Sequence, residues 1–230
     1  MLRALTRQEA SDAVSDLGWR FLLGALRTCV LVHSMTEAAE VGASAVAACG
    51  ADAGDHLRAD LRAERVVLTL QSPELAAVTA DDAELASRVT GAVRRAGLRT
   101  EPEIGTDAPR SVQIVEIGID AIDIPAIRPF WKAVLGYASE AGADGPRAPL
   151  VDPVGQGPSI WFQQMSEPRN QRNRIHFDIC VPHDEAAGRL EAALASGGRL
   201  VSSASAPAFW VLADAEGNEA CITTWQGRDG

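Results

Sequence analysis

Few residues in this chain have types that could do chemistry, and they fall in two groups. His56 directly follows Asp55, in Asp55-His56-Leu57. An imidazole titrates near neutrality and can move a proton either way, and a neighbouring carboxylate can hold it as a base. The plain structural reading of the same pair is a polar turn between a helix and a strand. His33, at a strand end before Ser34, reads as an exposed polar residue. The second group lies beyond residue 110. Glu116 stands in the otherwise apolar run Val112–Ile119. An unpaired carboxylate there is costly to bury, so it needs a partner: a metal ion, Arg174 or a cation on a substrate. Arg172 and Arg174 flank His176 and suit an anionic group on a substrate. With Arg169 they also read as a solvated loop. Trp161, Phe162 and Trp210 either build a sheet face or line a site for a flat ring.

Elements that could position the first group are legible from capping residues and periodicity. Thr6-Arg7-Gln8-Glu9 resembles a capping box and predicts a helix over 6–16 that stops at Gly18. Trp19–Leu23 and Leu26–Val32 are strand-like around Gly24. Met35, Ala38, Val41, Ala45 and Ala48 fall at helical spacing and predict a helix over Ser34–Ala48. Strands follow at Leu57–Leu61 and Val66–Leu70. Thr79, with Asp82 three residues on, then opens a helix over 80–96. The Pro-, Gly- and acid-rich stretch Thr100–Arg110 has no periodicity. It sets the expected division: a domain over 1–100, a linker over 101–111 and a domain over 112–230.

The second part repeats itself loosely. A strand with Glu116, then Asp123, a helix through Phe130–Leu135, Gly136 and a turn at Asp152-Pro153-Val154-Gly155 lead to a strand over Ser159–Gln163. A strand with His176, then Asp184, a helix through Arg189–Ala195, Gly197-Gly198 and a turn at Asp214-Ala215-Glu216-Gly217 lead to a strand over Glu219–Thr224. Glu116 and His176 hold equivalent places, as do Asp152 and Asp214. A βαβββ unit used twice explains the order. The expected fold class is therefore α+β. An N-terminal antiparallel four-stranded sheet carries helices on one face. C-terminal paired βαβββ units form a curved sheet around a cleft.

Composition narrows the function classes. The chain has 230 residues, a formal net charge of -10, 47% hydrophobic and 23% charged residues. That is enough apolar content for a packed core and too much for a disordered chain. The acidic balance, with no basic face evident, argues against nucleic acid and anionic membranes. No apolar run reaches the ~18–20 residues of a membrane span, and the polar start has no signal-peptide core. The four cysteines (Cys29, Cys49, Cys180 and Cys221) are scattered in apolar settings without a CxxC pair. They read as small buried hydrophobes in a reducing cytoplasm.

Residues 1–100 resemble pterin-4a-carbinolamine dehydratase. The resemblance runs from Leu5-Thr6 through Gly18-Trp19, Leu26-Arg27-Thr28 and Ala38-Ala39 to Val78-Thr79, Asp82 and Glu84-Leu85-Ala86. It implies acid–base removal of water from a 4a-hydroxytetrahydropterin at a histidine cluster, and sheet-mediated dimerisation. The family's His-His-Pro triplet reads Asp55-His56-Leu57 here, and its third histidine falls at Pro73. His56, held by Asp55, is the acid–base residue that remains, and the domain reads as a degenerate form of the family.

Residues 111–227 resemble the glyoxalase-like branch of the vicinal oxygen chelate superfamily. The motifs are Ile122-Asp123, Phe130-Trp131, Leu135-Gly136, Asn173-Arg174-Ile175-His176-Phe177-Asp178 and Asp214-Ala215-Glu216-Gly217-Asn218-Glu219. The resemblance implies a divalent metal held by Glu116, His176 and Glu219, with Gln163 as the candidate fourth ligand and Glu219 also a catalytic carboxylate. Zinc, nickel, manganese or iron would suit one imidazole and two carboxylates and would act as a Lewis acid on substrate oxygens. Members that bind small molecules without metal leave the cofactor open. Arg174, Trp161 and Trp210 are the candidate substrate contacts. The expectation is a cytoplasmic, homodimeric two-domain small-molecule protein: a lyase, isomerase or oxygenase-type enzyme, or a binder, acting in the C-terminal cleft. The alternatives are 4a-hydroxytetrahydrobiopterin dehydration by His56, and a non-catalytic binding or resistance protein.

Overall fold

The computed structural model describes residues 3–103, 111–143, 145–168, 175 and 177–227. The chain divides into two compact units, Met1–Ile114 and Val115–Gly230.

The first unit opens with α1 (Arg7–Val14), where Thr6 accepts from the Glu9 amide and Glu9 returns the bond to the Thr6 amide. This two-way cap satisfies helix donors that would otherwise have no partner. A 3₁₀ turn ends at Gly18, whose φ is +80°. A Cβ there would sit 2.0 Å from the Thr100 carbonyl oxygen, so the position requires glycine. Then follow β1 (Arg20–Leu22), β2 (Ala25–Leu31), α2 (Met35–Cys49), the short α3 (Ala53–His56), β3 (Leu57–Arg62), β4 (Arg65–Leu70) and α4 (Ala80–Arg95). The strands form one antiparallel sheet in the order β1-β2-β4-β3. Alternation assigns its faces: Leu26 and Val30 of β2 and Val66, Leu68 and Leu70 of β4 join the core cluster with Val41 of α2 and Val89 of α4. Trp19 is fully buried, and its indole N–H donates to Thr90 at 2.9 Å.

The segment after α4 packs onto this unit. Cys29 and Glu101 exchange both backbone hydrogen bonds, at 2.8 and 2.9 Å. The Val112 amide donates to the Pro102 carbonyl, and the Arg27 guanidinium donates to the Gln113 carbonyl at 2.8 Å. Val112 is buried. The strand expected over Val112–Ile119 therefore starts later, as β5 (Glu116–Ala121). The backbone before it is committed to bonds with the first unit.

The second unit continues with α5 (Ile124–Leu135), β6 (Ala138–Ser139), β7 (Leu150–Val151), β8 (Ser159–Gln164), β9 (Phe177–Cys180), α6 (Ala186–Ala195), β10 (Arg199–Ser202), β11 (Phe209–Ala213) and β12 (Glu219–Thr223). One sheet has the order β5-β8-β7-β6 and the other β10-β11-β12-β9. Read from the first strand of each repeat, these orders are the same. In both, the first and last strands pair in parallel. The fold is thus α+β, with an antiparallel four-stranded sheet followed by two βαβββ units. Ile119, Ile160, Phe162, Ile222 and Leu212 join Phe130 and Trp131 of α5 and Ala193 of α6 in a second core.

The repeated aspartates organise turns. Asp152 accepts from the amides of Val154, Gln156 and Gly157. Asp214 accepts from the Glu216 and Asn218 amides and, fully buried, from the Trp131 indole at 3.0 Å. The repeat fails at its helix starts: Asp123 caps α5, whereas α6 begins after Glu185 with no side-chain cap. Cys180 departs from the expected burial. It is exposed because it falls on the outward phase of β9, while the other three cysteines are buried.

Candidate functional site

His56 ends α3, immediately before β3, and its carbonyl accepts from the Gln71 amide. The carboxylate against its ring belongs to Asp82, with Nδ1 and Oδ1 2.7 Å apart. Asp55, its expected partner, is exposed and makes no hydrogen bond with it. Asp82 lies at the third position of α4 and has no exposed surface, while the His56 side chain keeps 16% of its own. The other Asp82 oxygen accepts from the Thr79 amide at 2.7 Å and the Thr79 hydroxyl at 2.8 Å. Against an ionised carboxylate, which can only accept, Nδ1 donates, and in the neutral ring Nε2 is then the acceptor. A helix cap therefore orients a potential base. Sequence signals showed Asp82 as a helix-start residue but not as the imidazole's partner. Pro73 is exposed.

In the second unit, β5 and β8 lie side by side in parallel register. Glu116 is opposite Ser159, Gly118 opposite Trp161 and Asp120 opposite Gln163. These six alternate with Ile117, Ile119, Ile160 and Phe162, which belong to the helix-side core. They share the other face of the sheet. Glu116 is exposed and accepts from the Ser159 hydroxyl at 3.2 Å. Trp161 lies across Gly118: a Cβ on that glycine would come within 3.0 Å of the indole ring. The ring remains 39% exposed. Burial, and then the neighbouring Glu116 charge, push the Glu140 carboxyl above its usual range.

Other expected site residues are placed differently. Gln163 pairs four residues along β8 from Ser159, about 13 Å from the Glu116 end at strand rise. Trp210 packs against the helix-side core, with its strand neighbour Ile222 fully buried. It is a core residue and shares no face with Trp161. Glu219 opens β12 as Ser159 opens β8, and it is half-buried. His176 and Arg174, with Arg169 and Arg172, lie outside the described residues. Among the described residues, no three His, Cys, Asp or Glu side chains form a group able to hold a metal. No described helix is long and apolar enough to cross a membrane.

Residues 116–223 match the family model described as a glyoxalase-like domain. Among solved structures, the chain is similar to a glyoxalase/bleomycin resistance protein/dioxygenase family enzyme from Burkholderia phytofirmans PsJN. The identity is 19% over 47% of this chain and 95% of that one, with a TM-score of 0.39. A glyoxalase-related enzyme from Fulvimarina pelagi is 19% identical over 50% and 88% of the two chains, with a TM-score of 0.37. A glyoxylase/bleomycin resistance protein/dioxygenase domain from Frankia sp. EAN1pec is 18% identical over 53% and 96%, with a TM-score of 0.37. No curated protein matches the chain. The second unit, built from two βαβββ repeats, contains a glyoxalase-like domain.

Proposed function

We propose that the second unit is a glyoxalase-like enzyme or binder that takes a flat small molecule on the exposed face of β5 and β8. The observation that carries this reading is the Trp161 indole, laid over the bare Gly118 backbone and still 39% exposed. An aromatic ring fixed in this way gives a stacking surface, and such contacts contribute about 0.5–1.5 kcal/mol beyond area burial. Glu116 and Ser159 border the ring on one side, and Asp120 and Gln163 on the other. They supply acceptors and hydroxyl or amide donors for the polar edge of a ligand. Glu116, His176 and Glu219 are the proposed metal ligands, since two carboxylates and an imidazole suit a first-row divalent ion. When bound, such an ion supplies Lewis acidity to ligand oxygens.

The test is a thermal-shift screen of the full chain with flat aromatic compounds, because binding to the native state raises the melting temperature. Hits are expected to lose their effect in Trp161→Ala; hits that survive that substitution place the site elsewhere. Metal analysis of chelator-free wild type, Glu116→Ala and His176→Ala tests the ion separately. No metal in wild type discards it and leaves the stacking surface standing.

A second reading concerns the first unit, and the contact between His56 and buried Asp82 favours it. His56 would act as acid–base residue in dehydration of a 4a-hydroxytetrahydropterin, with Asp82 positioning it. The assay compares wild type with His56→Gln, and wild type at the uncatalysed rate ends this reading.

A further inference from the structure

The four strands of the first repeat's sheet, β5, β8, β7 and β6, contain no lysine or arginine. Their carboxylates fall on the side that carries the Trp161 ring. Glu116, Gly118 and Asp120 alternate with Ile117 and Ile119 of the core, so both acidic residues share the outer side of β5 with the bare glycine. Register puts Trp161 opposite Gly118, with Glu116 and Asp120 on either side of that position along the strand. All three β5 positions are exposed, so a ligand can reach them.

A further carboxylate comes from the other edge of the sheet. Ser139 of β6 turns towards the helices, since its hydroxyl accepts from Arg128 of α5 at 2.8 Å. Glu140 follows it, and its amide continues the pairing of β6 with β7 by donating to the Pro149 carbonyl at 3.2 Å. Alternation therefore gives Glu140 the Trp161 side. Burial, and then the Glu116 charge, already raise its carboxyl, so this face resists added negative charge and favours its opposite. Among the described residues, Glu116, Asp120 and Glu140 form no ion pair. The π-face of an indole is itself negative and attracts a cation lying within about 6 Å of its centroid. Carboxylates on both sides add to that field, and the strands supply no fixed positive charge to offset it.

We propose that the Trp161 face selects a flat ring that carries a positive charge, such as a quaternary ring nitrogen or an aryl amidinium, held over the indole between Glu116 and Asp120. This rests on the stacking surface proposed above and adds the charge of its ligand.

The test titrates the full chain with three rings of similar size: N-methylquinolinium, quinoline and naphthoate. Mildly alkaline pH keeps quinoline uncharged, and EDTA keeps divalent ions from competing for Glu116. Equilibrium binding and unfolding temperature are the readouts. N-methylquinolinium is expected to bind about tenfold more tightly than quinoline, the scale of a cation–π contact reinforced by a carboxylate. Naphthoate is expected to bind more weakly than either, and added salt to narrow the differences. Asp120→Asn should cut the preference for the cation about threefold while leaving quinoline binding unchanged. Asp120 is exposed, so this substitution alters charge without emptying the core. Glu191→Gln, an exposed position on α6, is the control for the net charge of the chain and should change nothing. Trp161→Ala should abolish binding of both quinoline rings. Equal binding of charged and uncharged rings, lost in Trp161→Ala, overturns the charge selection and leaves the stacking surface standing. A preference that survives Asp120→Asn, or falls as much in Glu191→Gln, overturns it as well, since the attraction is then that of the whole acidic chain. Binding of none of the rings, or binding that survives Trp161→Ala, overturns the stacking surface and the charge selection together.

Discussion

The His56 side chain keeps 16% of its surface while Asp82 keeps none, so removing the imidazole strands a buried carboxylate with only the Thr79 donors. His56→Ala is expected to destabilise the first unit by about 1–3 kcal/mol in denaturant unfolding. His56→Gln, which can still donate to Asp82, should cost less. On the other unit, Gly118→Ala places a methyl 3.0 Å from the Trp161 ring. The exposed ring can shift, so fluorescence and ligand binding should change more than stability does. Asp152 gives a pH signature. Burial works to raise its carboxyl, but hydrogen bonds from Gly157, Val154 and Gln156 together hold it below its usual range. A lowered folded value contributes stability above the unfolded value, and that contribution is lost as pH falls through the folded one. Asp152→Asn should therefore flatten the loss of stability below about pH 4. At this scale the sequence shows residue types but not partners. His56 was visible by its chemistry, yet Asp82 lies 26 positions away in a helix cap. Asp55 was merely adjacent.

Helix starts and turns were largely legible because their signals are local. The Thr6 capping box forms as its spacing predicts, and Thr79 caps α4 as expected, with Asp82 closing a second box. Thr79→Ala should cost about 1 kcal/mol, measured by chemical denaturation. It should also loosen His56, since it removes the hydroxyl that bonds Asp82. The second unit depends on a bond that sequence could not show. Trp131 in α5 donates its indole N–H to buried Asp214, in the turn before β12. Trp131→Phe keeps the ring but withdraws one donor from a buried carboxylate, and should cost about 1.5–3 kcal/mol. Where local signals failed, the cause was tertiary. The apolar residues at 112–114 look like the start of a strand, but their backbone bonds the first unit. Trp161 and Trp210 look alike in composition, but strand phase sends one outward and the other to the core.

At the scale of the whole molecule, the duplicated order of helix and strands was the most informative feature of the sequence. It carried the fold because identical topology in two halves needs identical punctuation, and the Asp turns supply it. The division between units was less legible, since residues 101–111 look like a linker by composition and 112–114 look like the start of a strand. Their hydrogen bonds make a clear expectation: in hydrogen exchange, the Glu101 and Val112 amides should be protected together with Cys29 of β2. Rapid exchange at Glu101 and Val112 would mean that this segment is not held. Asp82 has a consequence of another kind. The same carboxylate closes a helix cap and holds an imidazole, so two selective pressures converge on it. If a lineage ceased to need proton transfer here, His56 could drift to other residues, while Asp82 would persist for folding alone. A retained aspartate beside a lost histidine would then be the relic of an abandoned chemistry.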